Sequence, residues 1–160
     1  DRHPVACISW DEASDFADWL VKENEGKIGF RLPTEAEWEY ACRNRGKNLL
    51  YCGGNDIEEV AWYSQNSGGG THAVGGKKDN GIGIHDMSGN VWEWCQDWYG
   101  DYPEGLETDP TGPQSGTGRV LRGGSWLGDA RPCRSSNRFW NSPALRYARN
   151  GFRLVFPAGQ

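Results

Sequence analysis

The sequence of 160 residues holds one methionine, three histidines and no apolar run near the length a bilayer span requires. A membrane-inserted helix is therefore not expected. Lysine and arginine number 17 against 22 acidic residues, for a net charge of −5. The basic residues stay scattered until the last third, so no basic stripe exists to neutralise phosphates, and nucleic acid is not an expected partner. The five cysteines, Cys7, Cys42, Cys52, Cys95 and Cys133, form no Cys-x-x-Cys pair and no regular spacing, which argues against a zinc cluster. Burial as small apolar residues is the favoured expectation for them, with a Cys42–Cys52 disulfide as the alternative. His3, His72 and His85 lie far apart, leaving no histidine cluster and no Ser-His-Asp set. Asp1-Arg2-His3-Pro4 has no feature of a signal peptide. The expectation is a soluble chain, or one whose targeting segment lies elsewhere.

What is present is glycine (23), proline (8) and tryptophan (9). That composition describes a loop-rich α+β domain over 1–160, its core filled by aromatic rings in place of Leu and Ile. Ser9 with Glu12, and Thr34 with Glu37, are capping boxes. They predict an amphipathic helix from about Asp11 to Glu23, with Gly26 where its C-terminal cap belongs, and a short one ending near Arg43. Ile28 to Leu32 reads as a short strand, and residues 45–79 as surface loop pinned around Val60-Ala61-Trp62-Tyr63. Further strands are expected from Arg119 and over Gly151 to Phe156, with the pair Gly123-Gly124 marking a bulge or a close backbone approach. The densest stretch is 83–98. If it is extended, Trp92, Trp94 and Trp98 share one face, with Val91, Glu93 and Cys95 on the other.

Four segments, RLPTEAEWEYACR at 31–43, GIHDMSGNVWEWCQDWYG at 83–100, RVLRGGSW at 119–126 and CRSSNR…P…GFRLV from 133 to 155, resemble the sulfatase-modifying-factor domain family, whose type member is formylglycine-generating enzyme. The resemblance runs through nearly the whole chain in the family's order. It implies the formylglycine-generating-enzyme subtype of the C-type lectin fold, with two helices, a short twisted antiparallel sheet and much irregular loop. The family's opening strands, before the motif that Pro4 to Trp10 match, are missing from this sequence.

The resemblance also implies cofactors. Asp86, the Gly89 and Val91 carbonyls and Glu93 are hard oxygen donors at positions that bind a structural calcium in the family. The competing expectation is that Asp86 caps a turn and Glu93 pairs with an arginine. The family's oxidases hold copper on two thiolates five residues apart, shortly after Gly-Gly-Ser. Here Gly128 stands at the first of those positions, and Cys133 at the second in an ungapped alignment. One thiol does not make a soft-metal site, so neither copper nor iron is expected, and no catalytic role.

Residues 127–150 mix aromatic with small polar side chains without a helical or strand period, like antibody contact loops. Their C-terminal pattern is similar to that of variable proteins of diversity-generating retroelements. That likeness makes Arg122, Ser125, Trp126, Cys133, Arg134, Ser135, Arg138, Pro143, Gly151 and Phe152 a fixed frame. It makes Leu127, Gly128, Asp129, Arg131, Asn137, Phe139, Trp140, Asn141, Ser142, Ala144, Leu145, Tyr147, Ala148 and Arg149 the ligand-contacting set. Trp140 departs from the pattern, because mutation of an asparagine codon cannot encode it. The expected function is display of a binding surface for a protein or cell-surface ligand, which would place the protein at the cell surface or outside the cell. The alternatives are a formylglycine-generating-type oxidase or related thiol-modifying enzyme, and an accessory domain fused to a kinase or protease.

Overall fold

The computed structural model describes residues 2–156; the two ends of the domain expected over 1–160 lie outside the described residues. In chain order the elements are α1 (Trp10–Glu23), α2 (Glu35–Cys42), α3 (Ile57–Val60), β1 (Ala61–Trp62), β2 (Ser88–Gly89), β3 (Trp92–Trp98), β4 (Arg119–Arg122), β5 (Arg138–Asn141) and β6 (Asn150–Phe152). Both capping boxes form. Ser9 accepts from the Glu12 amide and Thr34 from the Glu37 amide, while each glutamate reaches back to its cap. Such a cap stabilises a helix by about 1 kcal/mol. Asn24, not Gly26, caps α1, and Gly26 follows with its amide on Val21 O.

A four-stranded sheet, ordered β5-β4-β3-β6, carries the fold. It is mixed rather than antiparallel as expected: β4 runs antiparallel to β3 and β5, but β6 returns parallel to β3, and β1 pairs parallel with β2. A third helix, α3, starts on the Asp56 cap inside the segment expected to be loop. The strand expected at 28–32 reduces to one bridge, Arg31 to Val155. The stretch with no strand period does contain a strand, β5, because Phe139 and Leu121 face each other across the ladder, and Trp140 faces Val120. Edge position leaves both β5 rings exposed, which removes the alternation by which a half-buried strand is read.

The tryptophans divide the core as their period predicts. Trp92 and Trp94 pack with Ala13, Leu32 and Leu121 beneath α1, whereas Cys95 and Val120 pack with Trp38, Cys42, Cys52 and Met87 beneath α2. Trp98 lies after an irregularity in the β3–β4 register. There the Arg119 guanidinium sits 3.8 Å from the Trp10 ring centre and 3.6 Å from that of Trp98, a sandwich that keeps a charge over two π faces. Cys42 and Cys52 are joined in a disulfide, which corrects the expectation of free buried thiols for that pair; Cys95 and Cys133 are buried and free, and Cys7 is exposed.

Candidate functional site

Residues 127–149 stand on a frame fixed by buried charge. Arg122 is fully buried; its guanidinium contacts Glu39 and lies 3.4 Å from Glu35. Arg138 forks onto both oxygens of Glu35 at 2.7 Å. Two helical glutamates thus hold two strand arginines, and Arg122 also donates to Ser135 O and Asn137 O, tying down the start of the irregular segment. Bidentate Arg–carboxylate geometry fixes direction as well as distance. Below it, β2 meets β1 closely. A Cβ on Gly89, whose φ is +76°, would lie 2.2 Å from Trp62 O, so only glycine fits.

None of the fourteen expected contact residues is buried: nine are exposed and five intermediate. The frame residues Arg122, Ser125, Cys133 and Ser135 are at most 1% exposed. Arg134 is the exception, an expected frame residue that is exposed while its backbone bridges to Tyr51. The contact residues do not share one plane. Phe139 packs on Trp92 on the α1 side of the sheet, and Trp140 packs on Tyr99 on the α2 side, as alternation along β5 requires. Leu145 and Tyr147 lean on the N-terminal segment, through Tyr147 O to the Cys7 amide and an Arg146–Glu12 ion pair. Leu127, Gly128 and Asp129 lie near Ser64, whose amide donates to Gly128 O. The split over two sheet faces is a tertiary feature the linear pattern did not carry.

Asp86, Val91 and Glu93 line one cavity of about 400 Å³ together with Asn90 and Arg153. Asp86 Oδ2 accepts from the Gly75 amide of a separate loop at 2.7 Å, and Glu93 receives the Arg153 fork at 2.6 Å on each oxygen. Trp38 Nε1 adds a third donor to Glu93. A carboxylate accepts about four hydrogen bonds, so the donor chemistry fits a hard cation, but one that would share Glu93 with a guanidinium.

The copper pair does not fit. Cys133 is buried, and burial pushes its thiol up to about 12, which keeps it protonated. Its sulfur lies 3.7 Å from Asp129 O. Gly128 offers no side chain where the first thiolate would be. Among the described residues no group of three or more His, Cys, Asp or Glu side chains is arranged to hold a metal ion.

Comparison with known proteins bears on the family and the fold. The sulfatase-modifying factor enzyme 1-like domain matches residues 1–158. The chain is 40% identical over 160 residues to a serine/threonine-protein kinase pkn1 of Chlamydia pneumoniae, covering 96% of this chain and 24% of that protein. It is 36% identical over 173 residues to the formylglycine-generating enzyme of Streptomyces coelicolor, covering 96% of this chain and 52% of that one. The chain thus spans about a quarter to a half of these relatives. The solved structure of Treponema denticola variable protein 1 superposes with a TM-score of 0.90 at 36% identity, over 96% of this chain and 70% of that one. With the capped helices, the mixed sheet and the Gly-Gly-Ser-Trp turn in place, the chain belongs to the sulfatase-modifying factor enzyme 1-like domain family and has its C-type-lectin-like α+β fold.

Proposed function

We propose that this domain displays a ligand-binding surface built from residues 127–149, in the manner of a retroelement-diversified variable protein, with a protein or cell-surface group as its ligand. The observation that carries the reading is the segregation of burial. Leu127, Phe139, Trp140, Leu145 and Tyr147 are 42–53% exposed, while the frame residues Cys133 and Ser135 between them are sealed and, of the frame, Arg134 alone is exposed. Exposed rigid aromatics on a fixed frame suit binding, because little entropy is lost when such a site is occupied. The likeness to Treponema denticola variable protein 1 supports the same reading. The disulfide fits an oxidising compartment, as display outside the cell requires. The test is the DNA beside the gene. A near-copy of the codons for residues 119–155, differing mainly at adenines, is expected; a locus with no such repeat and no reverse transcriptase overturns the retroelement origin.

The second reading, an oxidase acting on a cysteine or another small thiol, draws on the identity with formylglycine-generating enzyme. Against it stand Gly128 and the protonated Cys133. Copper-dependent turnover of a cysteine peptide that is lost in Cys133→Ala would establish the oxidase and displace the display reading.

We also propose that Asp86 and Glu93, with the Gly89 and Val91 carbonyls, take a structural calcium beside Arg153. The convergence of two carboxylates on one cavity supports it, and Arg153 limits the ion's share of the work.

A further inference from the structure

A second cavity, of about 880 Å³, opens between α2 and the loop that joins β3 to β4. That is the size of a small-ligand site. Gly112 lays the loop against β3, where an added Cβ would sit 3.0 Å from that of Asp97. The walls are Tyr40 and Tyr102, the floor Glu35 and Asp97, and the loop adds Asp101, Glu107 and Asp109. Both arginines at the rim are already bound, Arg43 by Glu39 and Arg138 by Glu35. Among the described residues no lysine or arginine pairs with Asp97, Asp101, Glu107 or Asp109.

Asp97 makes this more than an acidic rim. It is 4% exposed, lines the cavity and forms no ion pair among the described residues; its carboxylate accepts the Glu35 amide at 2.8 Å and its own amide, and Arg138 and Arg119 act on it only through space. A buried carboxylate without a paired cation is costly. Burial accordingly pushes its carboxyl up to about 6. The inner wall shows which cation the cavity chemistry suits: the Arg138 guanidinium lies 4.0 Å from the Tyr102 ring centre while forking onto Glu35. Tyr40, 59% exposed, is a second ring in the wall, and among the described residues no cation lies over it. The cavity adjoins the display surface through the frame residue Arg138. The Arg138 guanidinium lies 4.7 Å from the Tyr99 ring centre, and Trp140, on the same face of β5 as Arg138, packs on that ring.

We propose that this cavity receives a guanidinium group, an arginine side chain of the protein ligand that the 127–149 surface holds. The inference rests on the display reading and names one chemical feature of the ligand. A planar cation between tyrosine rings and unpaired carboxylates gains both π contact and charge-assisted hydrogen bonds.

The test is titration of the folded domain with N-acetyl-arginine amide, followed by NMR at the Tyr40, Tyr102 and Trp140 rings. Spermidine serves as a free cation and N-acetyl-citrulline amide as the neutral isostere. Saturable shifts are expected with the arginine probe and none with citrulline. Asp97→Asn, which keeps the acceptor for the Glu35 amide, is expected to weaken binding about tenfold, the scale of one charge-assisted contact. Asp101→Asn with Asp109→Asn, on the exposed loop, serves as the second variant and is expected to weaken it as well. No saturable binding, equal binding of citrulline, or affinity unchanged in both variants overturns the proposal; tighter binding of spermidine overturns the protein source. Because the probes need no display partner, failure here is separate from failure at the gene locus.

Discussion

Glu35 and Asp97 are neighbours in the fold with opposite energetic roles. Glu35 is 5% exposed and neutralises Arg122 and Arg138. Glu35→Gln leaves two largely buried guanidiniums short of charge and is expected to cost about 3–5 kcal/mol in denaturant unfolding. Asp97 works against stability at neutral pH. Its folded carboxyl lies at about 6 against an ordinary 3.8, first because burial disfavours its charge. Glu35 on α2 adds to the shift, whereas the Glu35 amide and Arg138 on β5 oppose it; Arg119 on β4 also feels Asp97. The folded state therefore binds the proton more tightly than the unfolded state. The contribution of protonated Asp97 is full below pH about 4 and is lost as pH rises through about 6. Asp97→Asn is expected to raise stability at pH 7 by about 2 kcal/mol and to flatten the stability profile between pH 4 and 6. Melting across that range checks both sign and window. A residue kept at such a cost points to use, as stability is commonly given up at functional sites.

At the scale of elements, the helices are locally specified and the links between them are not. The Cys42–Cys52 disulfide joins the end of α2 to the loop before α3, across a separation of 10 residues. Closing so short a loop stabilises by about 2–3 kcal/mol. Reduction with dithiothreitol is expected to lower Tm by about 5–10 °C while leaving the α1 face intact, which hydrogen exchange resolves. The Glu93–Arg153 pair joins β3 to the end of β6. Arg153→Gln is expected to destabilise by about 3 kcal/mol, since it leaves Glu93, 5% exposed, without its cation. If calcium shares this site, excess chelator lowers Tm of the unsubstituted domain as well; unchanged melting in chelator removes the ion from the account.

For the whole molecule, binding and folding are expected to separate. Replacing Leu127, Leu145 and Tyr147 together by serine removes exposed apolar area at three scattered points. Surface changes of this kind cost about 0.5 kcal/mol or less each, so Tm is expected to move by a few degrees at most while ligand binding is lost. A collapse of Tm would mean that the segment is core. Trp140→Ala removes the ring that packs on Tyr99, against which the cavity residue Arg138 also lies, and is expected to weaken both the protein ligand and the arginine probe.

The sequence by itself determined the local devices: both capping boxes, the placing of Trp92 and Trp94 on one face of β3 and Cys95 on the other, the close approach at the glycine pair, and the family. Each is set by a few adjacent residues or by a period of two, so no distant contact is needed to read it. The tertiary structure decided the rest. The parallel return of β6, the disulfide and the strand at 138–141 depend on partners many residues away, and β5 shows no alternation because it lies at an edge. The same holds for function. Nothing near Asp97 in the chain says that it lines a cavity without an ion pair, because that depends on Arg138, far along the chain, being claimed by Glu35. Residues 83–98 are the densest stretch of aromatics and acids in the sequence. The fold makes most of that stretch the support, since its carboxylates Asp86 and Glu93 are already held by Gly75, Trp38 and Arg153.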